Sequence, residues 1–347
     1  MELKSRGTAE NPANRFEKLH YGTSAEAIDE EACAPTTEFF KDTSKSVVST
    51  NDSPDLGFIA SVNPYRGCEH GCIYCYARPS HEYLGFSAGL DFESKIMVKE
   101  DAPALLRKEL MSPKWEPKVV VLSGNTDCYQ PIERKLRLTR RCLEVLVEFR
   151  NPVAVITKNA LVIRDLDLLG ELARFRAASV AVSVTTLDDG LRLKMEPRAS
   201  SPERRLETIR TLADAGIPVT VMTAPIIPGL NDHEIPRVLE AASKAGATSA
   251  GYVMVRLAHG LGPLFEDWLE RNFPDRKEKV LHKIRDMRGG KMNDSRFGVR
   301  QRGEGVLAKE IADLFRLSCR KLGLNKRDYE LSAASFRRPG EQIRLFG

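Results

Sequence analysis

The sequence predicts an α/β fold: a partial (β/α)6 barrel of the TIM type, with a flexible N-terminal arm and a basic, mainly helical C-terminal extension. Three observations predict it. Six short apolar runs of strand length lie between residues 58 and 255, each bounded by Gly, Pro, Asn or charge. Longer segments with helical periodicity separate them, and strands alternating with helices form a parallel sheet through right-handed crossovers. Residues 1–57 show no sustained period, and residues 276–347 are set apart by charge.

In chain order, residues 1–57 mix acidic clusters with scattered Ser and Thr, the composition of an extended or poorly ordered arm. Phe39 and Phe40, with Val47 and Val48, are the residues that would pin part of it to the body. The strands are Phe58–Val62, Lys118–Leu122, Val153–Thr157, Ser179–Thr185, Ile217–Met222 and Ser249–Val255. A helix over Ile132–Arg150 sets Leu136, Leu143, Leu146 and Val147 on one side. Val162–Phe175 repeats the pattern through Leu166, Leu169 and Leu172. Pro202–Ala215 does so through Leu206, Ile209 and Leu212, with Ser201 placed to cap its start and Gly216 to stop it. His233–Ala245 and Pro263–Asn272 complete the set. The boundaries therefore fall at 57/58 and 275/276, and catalytic loops belong at the strands' C-terminal ends.

With 42% hydrophobic and 29% charged residues among 347, the chain is globular in composition rather than disordered. Apolar runs such as Val119–Leu122 and Val153–Ile156 fall far short of the roughly 20 residues of a membrane span. The N-terminus lacks the apolar core of a secretory signal, so a cytoplasmic location and no membrane partner are expected. Seven cysteines are an odd number for a disulfide framework; in a reducing compartment, clustered thiols hold metal or do redox chemistry. The net charge of +5 hides a split. Residues 1–275 carry 34 basic and 39 acidic side chains, and residues 276–347 carry 19 and nine. Two readings of the basic segment stand open: a solvated helical appendage, or a face for a polyanion such as DNA or RNA.

Directly after the first strand runs Asn63-Pro-Tyr-Arg-Gly-Cys68-Glu-His-Gly-Cys72-Ile-Tyr-Cys75-Tyr76. Three thiols at C-x3-C-x2-C spacing, on a loop that Gly67 and Gly71 let wrap a compact object, can hold three corners of a cubane iron–sulfur cluster and leave one iron open. A zinc site completed by His70 or His81 is the alternative, although structural zinc usually draws on two separated ligand pairs and no second pair follows. A redox pair of Cys72 and Cys75 leaves Cys68 without a role. Cys142 reads as a small buried hydrophobe on its helix, and Cys33 and Cys319 are isolated.

The C-x3-C-x-aromatic-C motif in this position resembles that of the radical S-adenosylmethionine (radical SAM) enzymes, over about Phe58–Leu257. The resemblance implies one [4Fe-4S] cluster on Cys68, Cys72 and Cys75, with S-adenosylmethionine chelating the fourth iron. An electron, delivered by a donor such as flavodoxin or ferredoxin, would cleave the sulfonium to methionine and a 5′-deoxyadenosyl radical that abstracts hydrogen from substrate. Within the family, Cys72-Ile-Tyr74-Cys75-Tyr76 is similar to the spore photolyase branch, in which the two tyrosines take part in radical transfer; Tyr74 also offers a ring to the adenine. The branch implies that Asn125, Thr126 and Asp127 face the methionine amino group, that Lys158 meets the cofactor carboxylate, and that Ser183 lies near its ribose or carboxylate.

Other positions carry two roles each. Arg198 would pair with the cofactor carboxylate or with Glu196. Ile227, in the stretch Pro225–Asp232, matches the adenine-side loop. Asp127 or Glu133 would otherwise cap the following helix, and Asn231 and Asp232 the one starting near His233. The sequence departs from the branch at its hydrogen-donor cysteine, where Gly124 stands; Cys128 lies just past the aspartate. The segment Arg288–Gly305 is rich in Gly and Arg, which fits a loop that contacts an anion. The competing class of function is a non-catalytic iron–sulfur or zinc protein that binds nucleic acid.

Overall fold

Strands begin earlier in the chain than the sequence predicts. A computed structural model describes residues 6–16, 36–326 and 329–340, leaving His20 and Cys33 outside the described residues. The arm supplies β1 (Glu38–Lys41) and β2 (Val48–Thr50), followed by β3 (Ala60–Val62), β4 (Tyr65–Arg66) and β5 (Lys95–Val98). Then come β6 (Val120–Leu122), β7 (Val153–Thr157), β8 (Ala178–Ser183), β9 (Val219–Ile226) and β10 (Ser249–Met254). The predicted six are β3 and β6 to β10, and they pair in parallel in chain order. β2 adds antiparallel to β3, so the sheet reads β10-β9-β8-β7-β6-β3-β2 and stays open between its two edges. It is a partial barrel of the TIM type. β1 instead pairs with β5, which also pairs with β4 in a small three-stranded sheet.

The arm is thus stitched into the body where it is described. Its polar composition hid this because an edge strand needs backbone partners more than an apolar face. Val47 is buried in the main core, whereas Phe39 stays 45% exposed.

The helices are α1 (Asp91–Ser94), α2 (Ala102–Met111), α3 (Glu133–Leu136), α4 (Leu138–Phe149), α5 (Leu166–Ala173), α6 (Asp189–Met195), α7 (Pro202–Asp214), α8 (Ile235–Lys244), α9 (Leu261–Asn272), α10 (Pro274–Asp286) and α11 (Gly305–Leu322). Ser201 caps α7 by accepting from Arg204 N, and Gly216 follows it at φ +75°. The single helix expected over Ile132–Arg150 is broken. Arg137 adopts φ +53°, and the buried Glu133 carboxylate accepts from Thr139 N at 3.0 Å, which starts α4 afresh. Leu136 is consequently exposed, and the buried face of α4 is Leu138, Cys142, Leu143, Val145, Leu146 and Phe149. A cap from Glu133 is the role the sequence offered it as an alternative.

The expected boundary at 275/276 falls inside the first turn of α10. Beyond it, α11 packs on α8 and buries Ala308, Ile311, Phe315 and Cys319 in the main core, with Phe315 4.6 Å from the Tyr252 ring on β10. Between α10 and α11 the chain returns across the open side of the barrel. Gln301 O accepts from Met254 N on β10 at 2.9 Å, while Gly298 N and Arg300 bond Asp55, in the turn that follows β2. The basic extension therefore bridges the two sheet edges. Among the described residues, no helix is long and apolar enough to cross a membrane.

Candidate functional site

The three-cysteine loop sits at the C-terminal mouth of the barrel, held from below by buried charge. Cys68 N donates to Phe92 O at 2.9 Å and Ile73 N to Met195 O at 3.1 Å, anchoring both flanks of the loop. Gly71, at φ +67°, lies so close to Glu93 that a Cβ would stand 2.5 Å from its Oε2. Arg78 is fully buried: its Nε donates to Cys72 O at 2.9 Å and its Nη2 to Glu93 at 2.5 Å. Glu93 accepts also from Gly7 N and Thr8 N, so the arm locks the pair in place.

A second brace is Glu196, which accepts from the Tyr74 hydroxyl, from Arg205, and from Thr185 Oγ1 at 2.6 Å. Burial favours its neutral form, but Arg205, Lys158 and these hydrogen bonds hold it at about 2. The third brace is His70 with Asp127. Asp127 Oδ1 accepts from Tyr129 N at 2.9 Å and Thr157 Oγ1 at 2.8 Å, and Oδ2 from Lys158 N at 2.8 Å, with His70 Nδ1 at 3.4 Å. Burial opposes a charge on His70, yet Asp127 and Cys68 raise it to about 10. Cys68 and Cys72 are buried and Cys75 half-buried; burial raises the Cys72 and Cys75 thiols.

Around this loop the strand ends converge. Lys158, after β7, holds its ammonium 5.9 Å from the centre of the Tyr74 ring. Asn125, after β6, is exposed, its backbone N donating to Asn63 Oδ1 at 3.0 Å. Thr126 Oγ1 donates to Gly67 O at 2.6 Å, tying the β6 loop to the cysteine loop. Ser183 ends β8, buried, its carbonyl accepting from Arg205 at 3.0 Å. Ile227 is fully buried just past β9, in one cluster with Cys72, Ile73 and Tyr74. Tyr76 is 52% exposed, donates to Gly124 O, and lies under the Arg256 guanidinium at 5.7 Å.

Four expectations change. Cys128 is fully buried in the main core, its thiol 3.8 Å from Leu122 O, because its backbone N is drawn in by Ser123 Oγ; it does not line the mouth. Arg198 pairs with Glu69 at 3.0 Å rather than with Glu196, which Arg205 has claimed. Asp127 spends both oxygens on the braces above rather than presenting one to the mouth. Asn231 caps no helix with its side chain: it accepts from Ile227 N at 2.6 Å and donates to Thr185 O and Pro225 O, joining the β8 and β9 loops.

Sequence reasoning missed Arg78, Glu93 and Arg205, and weighed His70 only as a zinc ligand. Each partner lies nine or more residues away, so no local pattern announces the pair. The donor set suits a cubane. Three thiols come from one loop, Cys68, Cys72 and Cys75, at C-x3-C-x2-C spacing. His70 lies against Cys68 but is engaged by Asp127, and His81 bonds Lys95 O at 2.9 Å.

Comparison with known proteins agrees with this architecture. The family model described as the Radical SAM superfamily matches residues 62–242, just over half of the chain. An uncharacterised protein of Mycobacterium tuberculosis is 38% identical over 222 residues, 63% of this chain and 65% of that protein's length. An uncharacterised protein of Methanocaldococcus jannaschii is 28% identical over 246 residues, 71% of this chain and 88% of that one. Among solved structures, spore photoproduct lyase complexed with dinucleoside spore photoproduct superposes with a TM-score of 0.58 at 16% identity, covering 82% of this chain and 80% of that one, a likeness of fold.

Proposed function

The chain belongs to the radical SAM superfamily, and from that premise we propose that it is an enzyme of reductive S-adenosylmethionine cleavage, acting on an anionic substrate of which nucleic acid is the foremost class. Cys68, Cys72 and Cys75 would hold a [4Fe-4S] cluster, and the loaded site supplies hydrogen-atom abstraction.

The chain's own residues do the rest. The Lys158 ammonium, facing the Tyr74 ring, suits the cofactor carboxylate. Asn125, exposed at the mouth, is placed for the amino group, with Asp127 and Thr126 behind it as positioning residues. Ile227 and Tyr74 wall the adenine side, and Ser183 ends β8, the strand between those that lead to Lys158 and Ile227. The Arg78–Glu93 and Arg205–Glu196 pairs fix the loop so that it closes over a dry interior. We place the enzyme in the cytoplasm, where a flavodoxin- or ferredoxin-like donor reaches the mouth.

A single observation carries this reading: the cysteine loop and the residues following β6, β7, β8, β9 and β10 stand at the same end of one parallel sheet. The test is anaerobic reconstitution with iron and sulfide. Dithionite-dependent release of 5′-deoxyadenosine is expected, and Cys72→Ala should abolish both iron loading and release. Protein that holds one zinc and no iron and never cleaves S-adenosylmethionine would overturn the proposal.

A further inference from the structure

Among the described residues, two guanidinium groups at the barrel mouth have no carboxylate partner. Arg288, in the return after α10, is 1% exposed; its Nη2 donates to Val255 O at 2.7 Å, while Nε and Nη1 are buried without a hydrogen-bonded partner. Arg256, two residues past β10, lies over the Tyr76 ring with its Nε likewise buried and unpartnered. Both sit in one electrostatic neighbourhood. Burial and the charge of Arg256 lower Arg288 from the ordinary arginine value, and burial and Arg300 lower Arg256. The carboxylates within reach are committed: Asp55 to Gly298 N at 2.7 Å and to Arg300, Asp294 to Arg296 at 2.6 Å, and Glu304 to Arg296 at 2.7 Å. Beside Arg288 opens a cleft of about 310 Å3, lined also by Lys291, Asn293, Arg296 and the Asp294 that Arg296 pairs.

Buried donors and buried charge are retained at a cost, and they call for an anion to complete them. Three unpartnered nitrogens on two side chains, carrying four N–H groups between them, exceed what one planar carboxylate edge takes, and they suit the tetrahedrally arranged oxygens of a phosphoryl group. We infer that Arg256 and Arg288 form a subsite for a phosphoryl group of the substrate, next to Tyr76 at the mouth of the barrel. Its assignment to the substrate rests on the function proposed above; the anion site itself rests on the unpartnered nitrogens and on the Arg288 bond to Val255 O, the carbonyl just before Arg256. It also gives the Gly- and Arg-rich return a purpose beyond bridging the sheet edges: it closes the barrel with the cations that meet the substrate.

The experiment uses reconstituted full-length protein. Inorganic phosphate is followed by thermal shift against chloride at equal ionic strength, and a fluorescein-labelled single-stranded 12-nucleotide DNA by anisotropy at two salt concentrations. Wild type should gain thermal stability with phosphate, and Arg256→Gln should weaken whichever probe binds by tenfold or more. Because Gln at 288 would strand Val255 O, Arg288→Lys is made beside it and should lose at least threefold. Arg316→Gln, a surface residue paired with Asp313 on α11, should bind as wild type. Binding of the oligonucleotide identifies a polynucleotide as the source of the phosphate; binding of phosphate alone identifies a small phosphorylated substrate, and both support the subsite. Equal binding by wild type and Arg256→Gln, or an equal loss in Arg316→Gln, overturns it. Phosphate binding by a wild-type protein that never releases 5′-deoxyadenosine would overturn its assignment to a radical SAM substrate.

Discussion

Beneath the cysteine loop and at the mouth above it, the protein buries charge in two opposite ways. Below, Arg78 with Glu93, Arg205 with Glu196 and His70 with Asp127 each close their hydrogen-bonding capacity inside the protein, on backbone amides, hydroxyls and one another. Above, Arg256 and Arg288 keep buried donors open while every neighbouring carboxylate serves another arginine or a backbone amide. Arg288 is as buried as the paired groups below and Arg256 is half-buried; what separates the two regions is pairing. Buried ion pairs are weak sources of stability but strong determinants of position, because breaking one strands its partner. Charges that are closed off therefore hold the loop in place, and charges left open are available to a ligand.

The sharpest way to break this contrast is to open one of the closed pairs. Glu196→Gln leaves the Arg205 guanidinium buried without its counter-charge and should cost about 3–5 kcal/mol in urea unfolding. A double variant with Arg205→Met should recover part of that loss; a double variant no more stable than Glu196→Gln would show that pairing is not what matters there. The pH dependence follows in sign. Glu196 is held at about 2, below its ordinary value, so its contribution is present above the ordinary carboxylate range and is lost as pH falls through about 2. The wild-type acid limb should be steeper between roughly pH 4.5 and 2 than that of Glu196→Gln, measured by unfolding at fixed urea.

A smaller effect is expected where the backbone, rather than a charge, seats the loop. Gly71→Ala adds a Cβ at φ +67° and 2.5 Å from a Glu93 oxygen that Arg78, Gly7 and Thr8 hold in place. It should cost about 1–3 kcal/mol and reduce iron bound per chain on reconstitution. A Gly71→Ala protein with unchanged iron content would mean that the brace yields, and that the loop is less tightly seated than its hydrogen bonds indicate.

The same contrast explains what the sequence made legible. Strands were legible because their apolar runs are local: β7 matches its predicted range residue for residue. The cysteine loop was legible because its three cysteines share eight residues. Partnerships across the chain were not. Glu196 meets Tyr74 across 122 positions, and Arg15 meets Glu82 across 67, so neither leaves a periodic trace. The break at Arg137 was hidden because its cause, the Glu133 cap, is a side-chain choice that hydrophobic spacing does not encode. Strands β1 and β2 were hidden because edge strands of four and three residues are too short to show a period.

Cys128 gives the smallest expected effect and tests whether proximity in sequence was a guide to the site at all. It follows Asp127 directly, yet the chain turns it inward: Ser123 Oγ takes its backbone N, Thr139 Oγ1 donates to its carbonyl at 2.6 Å, and the thiol lies among core side chains with its proton held more firmly than usual by burial. A hydrogen donor to a substrate radical must reach the mouth, and this thiol faces Leu122 O on the far side of the loop. Cys128→Ala removes one buried sulfur and should cost about 1 kcal/mol in urea unfolding. Release of 5′-deoxyadenosine should stay within twofold of wild type. Loss of hydrogen transfer in Cys128→Ala, with stability intact, would mean that the β6 loop turns over during the reaction, and that the inward-facing thiol is a resting arrangement.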